Sequence, residues 1–421
     1  MYLGHASAGR IRVRGPLIAE MRAVVGPAQG PPKHMRENQS MRVLHVITGL
    51  GVGGAEHMLL KLLRANALAG FEQGVVAMLP GGAMVETMRA TGAAVEELNF
   101  LGGLPLLGGA SQLAMLTRRH PPDLVHGWMY HGNLGAALAR AALRRRVPLV
   151  WSIRQSLPSL DGENAFARAG IHLNRALSSL PDCLLFNSLA GQEQHRSFGF
   201  RMQRAHYLPN GFDTAHFAAD ALERARLRVA WGADGSMVMF GVLARHHPVK
   251  DHVGFLQAAR RTLDARAQAR FVLAGTGMDA ANAALMQTIA DAGLAGRVLL
   301  MGERRDAAAV LSALDVCVSS SLAEAFSNTV GEAMSCGLPC VVTAVGDSAQ
   351  LIGNSGRSVP PRDPAALAAA MVAMIDLGAA GRAELGARAR QRIEAEFGID
   401  AVARRHAELY RQLAAGAQPR A

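Results

Sequence analysis

The chain has 421 residues, half of them apolar, and carries a net charge of +11 from 44 Lys and Arg against 33 Asp and Glu. That length exceeds what one hydrophobic core usually fills, so two domains are expected. No unbroken apolar segment could span a bilayer, because the best candidate, FLGGLPLLGGASQLAML, is interrupted by Gly, Pro, Ser and Gln, and a soluble or peripheral protein is expected.

Residues 1–40 scatter Arg, Gly and Pro without periodicity and without the apolar block of a secretory signal, so a disordered extension on a cytoplasmic protein is expected. From Met41 onward short apolar runs alternate with helical stretches: RVLHVIT, EQGVVAML, DLVHGWM, PLVWSI and CLLFNS read as strands of a parallel sheet. The rhythm breaks at YLPNGFDTAHF and restarts with MVMFGVL, ARFVLAG, RVLLMG, DVCVSSS and PCVVTAVG. Two similar α/β domains follow, over residues 41–210 and 211–395, with a ligand cleft at the carboxyl ends of both sheets. Residues 396–421 form a last unit: FGIDAVARRHAELYRQL has helical spacing, with Phe397, Val402, Leu409 and Tyr410 on its apolar side, and is expected to pack back across the molecule. Cys183, Cys317, Cys336 and Cys340 form no C-x-x-C pair and read as reduced, buried thiols.

The positive charge is uneven. Residues 41–210 hold 16 basic and 10 acidic side chains, whereas residues 211–421 hold 22 and 21. Arg118, Arg119, Arg140, Arg144, Arg145 and Arg146 supply much of the excess, and such a face suits an anionic bilayer, a phosphorylated acceptor or nucleic acid, unless it is simply solvated.

In TGLGVGGAEHM, Gly49, Gly51 and Gly54 fall on G-x-G-x-x-G, a spacing that lets a backbone approach a pyrophosphate. A dinucleotide site would also need an acid at the end of the second strand, which here ends GVVAMLPGG. An NAD-dependent oxidoreductase is therefore disfavoured. Gly53 and Gly54 can still approach a ligand and offer amides at a helix start, or serve only a tight turn.

Two stretches of the second half carry the chemistry. In GVLARHHPVKDH, Arg245 and Lys250 follow a strand, and two cations there suit a diphosphate whose charge grows as it leaves. In SSSLAEAFSNTVGEAMSCGLPCVVTAVGD, Glu324 and Glu332 bracket the start of a helix. A carboxylate accepts in two directions and suits paired hydroxyls, so Glu324 is expected to hold a transferred sugar and Glu332 a ribose, with the intervening amides on phosphate.

These strings, with GGAE and LPNGFD, resemble glycosyltransferase family 4, the retaining nucleotide-sugar enzymes of GT-B fold, from Met41 to about Leu413. The resemblance implies two Rossmann-like domains facing a cleft and a carboxyl-terminal helix crossing back. It implies that Arg245 and Lys250 bind the donor diphosphate, Glu324 the sugar, Glu332 the ribose, and Phe326, Ser327, Asn328 and Thr329 the phosphates through their backbone. Relatives often carry H-x-H after the fourth strand. Here the string is HGWMYHGN, with Trp128 at the second His, so His126 and His131 share the expectation. His131 is the favoured catalytic choice, and His126 and Arg154 are candidates for acceptor contact. EAF replaces the commoner Glu-Gly-Phe, so Ala325 is expected to hold ordinary backbone angles.

The implied reaction transfers a sugar, preferably from UDP, to a hydroxyl with retention, the departing phosphate taking the acceptor proton. No metal and no cofactor are expected, since Arg245 and Lys250 fill the electrostatic role. The expected acceptor is a glycan or lipid-linked glycan at the inner face of the cell membrane, with peripheral contact to anionic lipid near FLGGLPLLGG and no nucleic acid. A nucleotide-sugar epimerase of the same fold is the alternative, and a basic nucleic-acid-binding protein a more distant one.

Overall fold

The computed structural model of the protein describes residues 40–65, 68, 70–100 and 104–416. The expected extension over residues 1–40 lies outside them except for Ser40, as does the end of the tail from residue 417.

The amino-terminal lobe alternates β1 (Met41–Ile47), α1 (Gly54–Arg64), β2 (Phe71–Ala77), α2 (Val85–Arg89), β3 (Ala94–Glu97), α3 (Leu104–Arg119), β4 (Leu124–Trp128), α4 (Met129–Ala141), β5 (Leu149–Ile153), α5 (Ala165–Ala176), β6 (Cys183–Phe186), α6 (Leu189–Ser197) and β7 (Ala205–Tyr207). The carboxyl-terminal lobe continues with α7 (Ala221–Ala230), β8 (Val238–Leu243), α8 (His252–Ala265), β9 (Ala269–Ala274), α9 (Ala283–Asp291), β10 (Val298–Leu300), α10 (Ala307–Ala313), β11 (Val316–Ser319), α11 (Asn328–Ser335), β12 (Cys340–Thr343), α12 (Ser348–Ile352), β13 (Gly356–Val359), α13 (Pro364–Asp376) and α14 (Gly378–Arg392). After a π-turn over Ile393–Phe397 comes α15 (Ile399–Ala414).

Every strand pairing is parallel, in the orders β3-β2-β1-β4-β5-β6-β7 and β10-β9-β8-β11-β12-β13. Parallel strands covered on both faces are largely apolar, and β4, β5 and β6 are buried at every residue, the polar His126 and Ser152 among them bonding each other. Strand order reverses between β1 and β4 in one sheet and between β8 and β11 in the other. Loops diverge at such a point and leave a crevice beyond the strand ends. The segments that follow β1, β4, β8 and β11 carry Gly53 with Gly54 at the start of α1, His131 in the first turn of α4, Arg245 with Lys250, and Glu324 with Asn328 at the start of α11.

The two lobes share their last helix. Val402, Ala403, Ala407, Leu409, Tyr410 and Leu413 of α15 are buried in the core of the amino-terminal lobe with Met58, Leu62 and Trp128. Where the chain crosses, Phe212 bridges the strand-like turn before α15: its amide donates to the Phe397 carbonyl at 2.9 Å and its carbonyl accepts from the Ile399 amide at 2.8 Å.

The strand runs read from the sequence all appear, but β3, β7 and β13 do not stand out there. Each is an edge strand of three or four residues with exposed or half-buried positions, so the continuous apolar signal is missing. The apolar stretch FLGGLPLLGG is helical from Leu104 in its described part, and Gly109 lets α3 pass within van der Waals reach of the Asn99 carbonyl and the Phe100 ring. The four cysteines are buried free thiols, with Cys317 opposite Cys340 in adjacent strands. Among the described residues no single helix is long and apolar enough to cross a membrane.

Much of the expected basic face is internally committed. Arg140 and Arg146 bond Asp182 at 3.3 and 2.8 Å, Arg145 bonds Asp123 at 2.7 Å, and Arg118 donates to the Ala142 carbonyl. Arg119 and Arg144 have no ion pair among the described residues.

Candidate functional site

Lys250 ends a short 3-10 turn, Pro248–Lys250, set between β8 and α8. The next residue, Asp251, takes left-handed angles (φ 48°) and caps α8 by accepting from the Gly254 amide. That strained step turns the chain so that the Lys250 ammonium meets Glu324 at 2.5 Å. The two loops are also sewn together through backbone: the Leu322 amide donates to the Val249 carbonyl at 2.7 Å, and Ser320 Oγ donates to the Lys250 carbonyl at 2.8 Å. Glu324 accepts additionally from Ser321 Oγ. Arg245, five residues earlier, is exposed, and its guanidinium has no hydrogen bond or ion pair among the described residues. One cation is thus pre-positioned on a carboxylate and the other is unengaged.

Ser327 caps α11 by accepting from the Val330 amide, so the first amides of this helix open toward the crevice between the lobes. Phe326 is buried, Ala325 has ordinary backbone angles as expected, and Thr329 Oγ1 bonds the Leu243 carbonyl. Asn328 meets the other lobe: its Oδ1 accepts from Asn210 Nδ2 at 2.7 Å, and its Nδ2 lies where a Cβ on Gly54 would come within 3.2 Å. None of Gly49, Gly51, Gly53 and Gly54 has positive φ. A left-handed turn therefore does not explain them, whereas close approach to Asn328 does explain Gly54. A Cβ on Gly53 would press on the Glu56 carboxylate of its own helix.

One turn into α11, Glu332 faces Lys61 of α1 across the crevice at 3.9 Å. Both are largely withdrawn from water, and burial raises the carboxyl and lowers the ammonium despite their mutual attraction. At that spacing they are an ion pair without a hydrogen bond. The lone pairs of Glu332 stay available to a hydroxyl, while Lys61 donates to the Gly211 carbonyl and lies over the Phe212 ring.

The histidines separate. His126, an expected acceptor contact, is a core residue. It is fully buried on β4, with Nδ1 bonded to the Tyr410 hydroxyl and Nε2 to Ser152 Oγ, both at 2.7 Å, and its ring stacked on Trp128. Burial holds it neutral, well below the ordinary imidazole range, and both ring nitrogens are spent on joining α15 to the sheet. His131 follows Met129, whose left-handed φ of 63° breaks strand from helix. It is stacked flat on Phe166 of α5, with ring centres 4.1 Å apart, and its buried Nε2 has no partner among the described residues. Arg154 packs over Trp128 and donates to Asn210 Oδ1 at 2.8 Å, so Arg154, Asn210 and Asn328 form one chain from the sheet of the first lobe to the head of α11. Burial lowers this guanidinium to about 10, and no carboxylate among the described residues pairs with it.

Lys61 and Asn210 were not singled out from sequence. Lys61 had a signal: it is the one charge inside MLLKLL, a run otherwise buried. Asn210 stands in the junction string YLPNGFDTAHF, where the strand rhythm breaks. Among the described residues no cluster of three or more His, Cys, Asp or Glu could share a metal ion.

Two family models match this chain: Glycosyltransferase Family 4 over residues 52–216 and Glycosyl transferases group 1 over residues 236–376. The chain is similar to D-inositol 3-phosphate glycosyltransferase of Xylanimonas cellulosilytica, 27% identical over 422 residues spanning 95% of this chain and 97% of that one. It is also similar, at 31% over 150 residues, to UDP-Gal:alpha-D-GlcNAc-diphosphoundecaprenol alpha-1,3-galactosyltransferase of Escherichia coli, over 35% of this chain and 38% of the other. Among solved structures, Anabaena HepE in complex with UDP superposes with a TM-score of 0.77 at 22% identity, covering 88% of this chain and 99% of its own.

Proposed function

The chain belongs to the glycosyltransferases of GT-B fold, family 4 by its amino-terminal lobe and group 1 by its carboxyl-terminal lobe, and from that premise we propose that it transfers a sugar, with retention, from a nucleoside diphosphate to a hydroxyl of a glycan or lipid-linked glycan. The observation supporting this reading is that Lys250 and Glu324 pair between the segments that follow the adjacent strands β8 and β11, while Glu332, one turn into α11, faces Lys61 of the other lobe.

In this reading Arg245 and Lys250 receive the diphosphate, the amides at Ser327–Thr329 add partial positive charge, Glu332 accepts from the ribose hydroxyls and Glu324 from the sugar. The bond from the anomeric carbon to the phosphate oxygen breaks as the acceptor oxygen attacks from the same face. The acceptor proton passes to the departing phosphate oxygen, whose new charge Arg245 and Lys250 stabilise. UDP is the preferred donor nucleotide, as the name of the Escherichia coli relative and the ligand of HepE suggest. His131 remains the proposed contact from the first lobe.

A lipid-linked acceptor, made during assembly of a surface polysaccharide, is supported by α5. Its outward side exposes Phe166 and Leu173, continued beyond the helix by Leu177 and Leu180, at helical spacing. Arg168 and Arg175 flank that stripe, and the helix contains no acid. Such a face suits an interfacial position on anionic lipid.

Incubation with a panel of UDP- and GDP-sugars is expected to release nucleotide only when a lipid-linked acceptor is added. Conversion of the donor without any acceptor would favour the epimerase instead. At low salt the protein is expected to sediment with vesicles containing phosphatidylglycerol and not with pure phosphatidylcholine, and Leu173→Ser with Leu177→Ser should weaken that binding. Equal behaviour toward both vesicles would remove the membrane from the proposal.

A further inference from the structure

One buried carboxylate joins the lobes at a place the proposed chemistry does not use. Asp347, in the loop between β12 and α12, is 3% exposed and lies against the start of α6 in the opposite lobe. Its Oδ1 accepts from Ser188 Oγ at 2.9 Å and from the Ala190 amide at 3.0 Å, and its Oδ2 accepts from the Leu189 amide at 2.8 Å. Ser188 itself accepts from the Gly191 amide. The first three amides of α6 are therefore satisfied, two of them by a side chain from the other lobe. Helix starts ordinarily bind their own capping residues or water. A carboxylate here gains charge-assisted hydrogen bonds and the favourable end of the helix dipole. Burial holds its carboxyl above the usual range, and the three donors partly offset that cost of desolvation.

The other side of the same loop is fastened to the loop of Glu324. The Asp347 amide donates to the Ala325 carbonyl at 3.0 Å. Gly346 has φ 53°, and a Cβ there would come within 2.2 Å of the Glu324 carbonyl oxygen, so only glycine permits this contact.

We propose that Asp347 is a positioning residue that clasps the lobes: docking its carboxylate into the start of α6 closes the crevice and sets the Glu324 loop in one step. The residue touches neither donor nor acceptor. When the lobes part, Asp347 loses three donors together and the buttress behind Glu324 loosens. The kinetic part of this inference rests on the proposed glycosyl transfer; the closure part does not.

The test compares full-length Asp347→Asn and Ser188→Ala with the parent protein by small-angle X-ray scattering with and without UDP, and by steady-state kinetics. Asparagine keeps the volume but presents an NH2 where two acceptors are needed. The expected result is a larger radius of gyration, a kcat lower by roughly 10–100-fold, a raised KM for acceptor and an unchanged Kd for UDP, with Ser188→Ala shifting the same way by less. Scattering identical to the parent would overturn the clasp. Expansion with full turnover, or UDP affinity falling in step with kcat, would overturn the positioning role. If Asp347→Asn fails to fold, Ser188→Ala alone decides by the same criteria. Absence of turnover in the parent protein would instead sink the glycosyl-transfer reading, and scattering would still decide the clasp.

Discussion

Replacing Arg245 or Lys250 by alanine is expected to lower kcat by roughly 10²–10³-fold, about 3–4 kcal/mol on the barrier, as when a preorganised donor to a developing anion is lost. The two variants should differ in kind. The Arg245 guanidinium has no hydrogen bond or ion pair among the described residues, so its removal is expected to leave the fold unchanged and to subtract what the cation does for the leaving group. Lys250 is bonded to Glu324 at 2.5 Å, so its removal also leaves a mostly buried carboxylate without its counter-ion beside the expected phosphates. Lys250→Ala should therefore lose more, and part of the excess should return when Glu324→Gln is added, since the neutral amide no longer repels the departing anion. Turnover measured with the donor identified by the panel, at one fixed ionic strength, checks this. Near-normal turnover by either single variant would contradict the assignment.

Phe212→Ala should cost about 3–5 kcal/mol of stability, the range for emptying a large buried aromatic site. Phe212 is 0% exposed and lies at the crossing of the chain. Its ring covers Gly331 so closely that a Cβ there would fall 2.0 Å from Cζ, it stacks near Phe326 with centres 6.1 Å apart, and Lys61 sits 5.2 Å over its face. Shrinking it empties the space between α11 and the turn before α15 and frees Lys61 from its seat opposite Glu332. Nucleotide affinity should fall with stability. Urea denaturation followed by tryptophan fluorescence measures the first and UDP titration the second. A loss below about 1 kcal/mol would mean the site collapses around the gap rather than depending on the ring.

The strands that build the switch points were legible because they are buried on both faces. RVLHVIT, DLVHGWM, MVMFGVL and DVCVSSS are apolar runs, interrupted inside only by the buried His45 and His126, and their carboxyl ends are where the site begins. The edge strands were not legible: GRSV of β13 is half solvated and only four residues long, below the length at which a pattern declares itself. In the site, Lys250 and Glu324 could be coupled from sequence because each follows a strand of the same sheet, and β8 and β11 are neighbours. Contacts between lobes could not. Lys61 with Glu332 and Asp347 with Ser188 are joined only by how two separately patterned sheets face each other, and no periodicity within either sheet encodes that. His126 shows the converse error. The motif around it looked functional, but His126 sits in the middle of β4, a strand covered on both sides, and its ring is held inside by Tyr410 of α15 and Ser152 of β5.

The return of α15 has a consequence for how the polypeptide matures. The wall that closes the core around Met58, Leu62 and Trp128 is made from Val402 to Leu413. During synthesis the first lobe emerges without it, so its apolar interior stays uncapped while the whole second lobe is being translated. The ribosome therefore releases the two halves as a mutually dependent pair: the earliest segment to appear is finished only by the last.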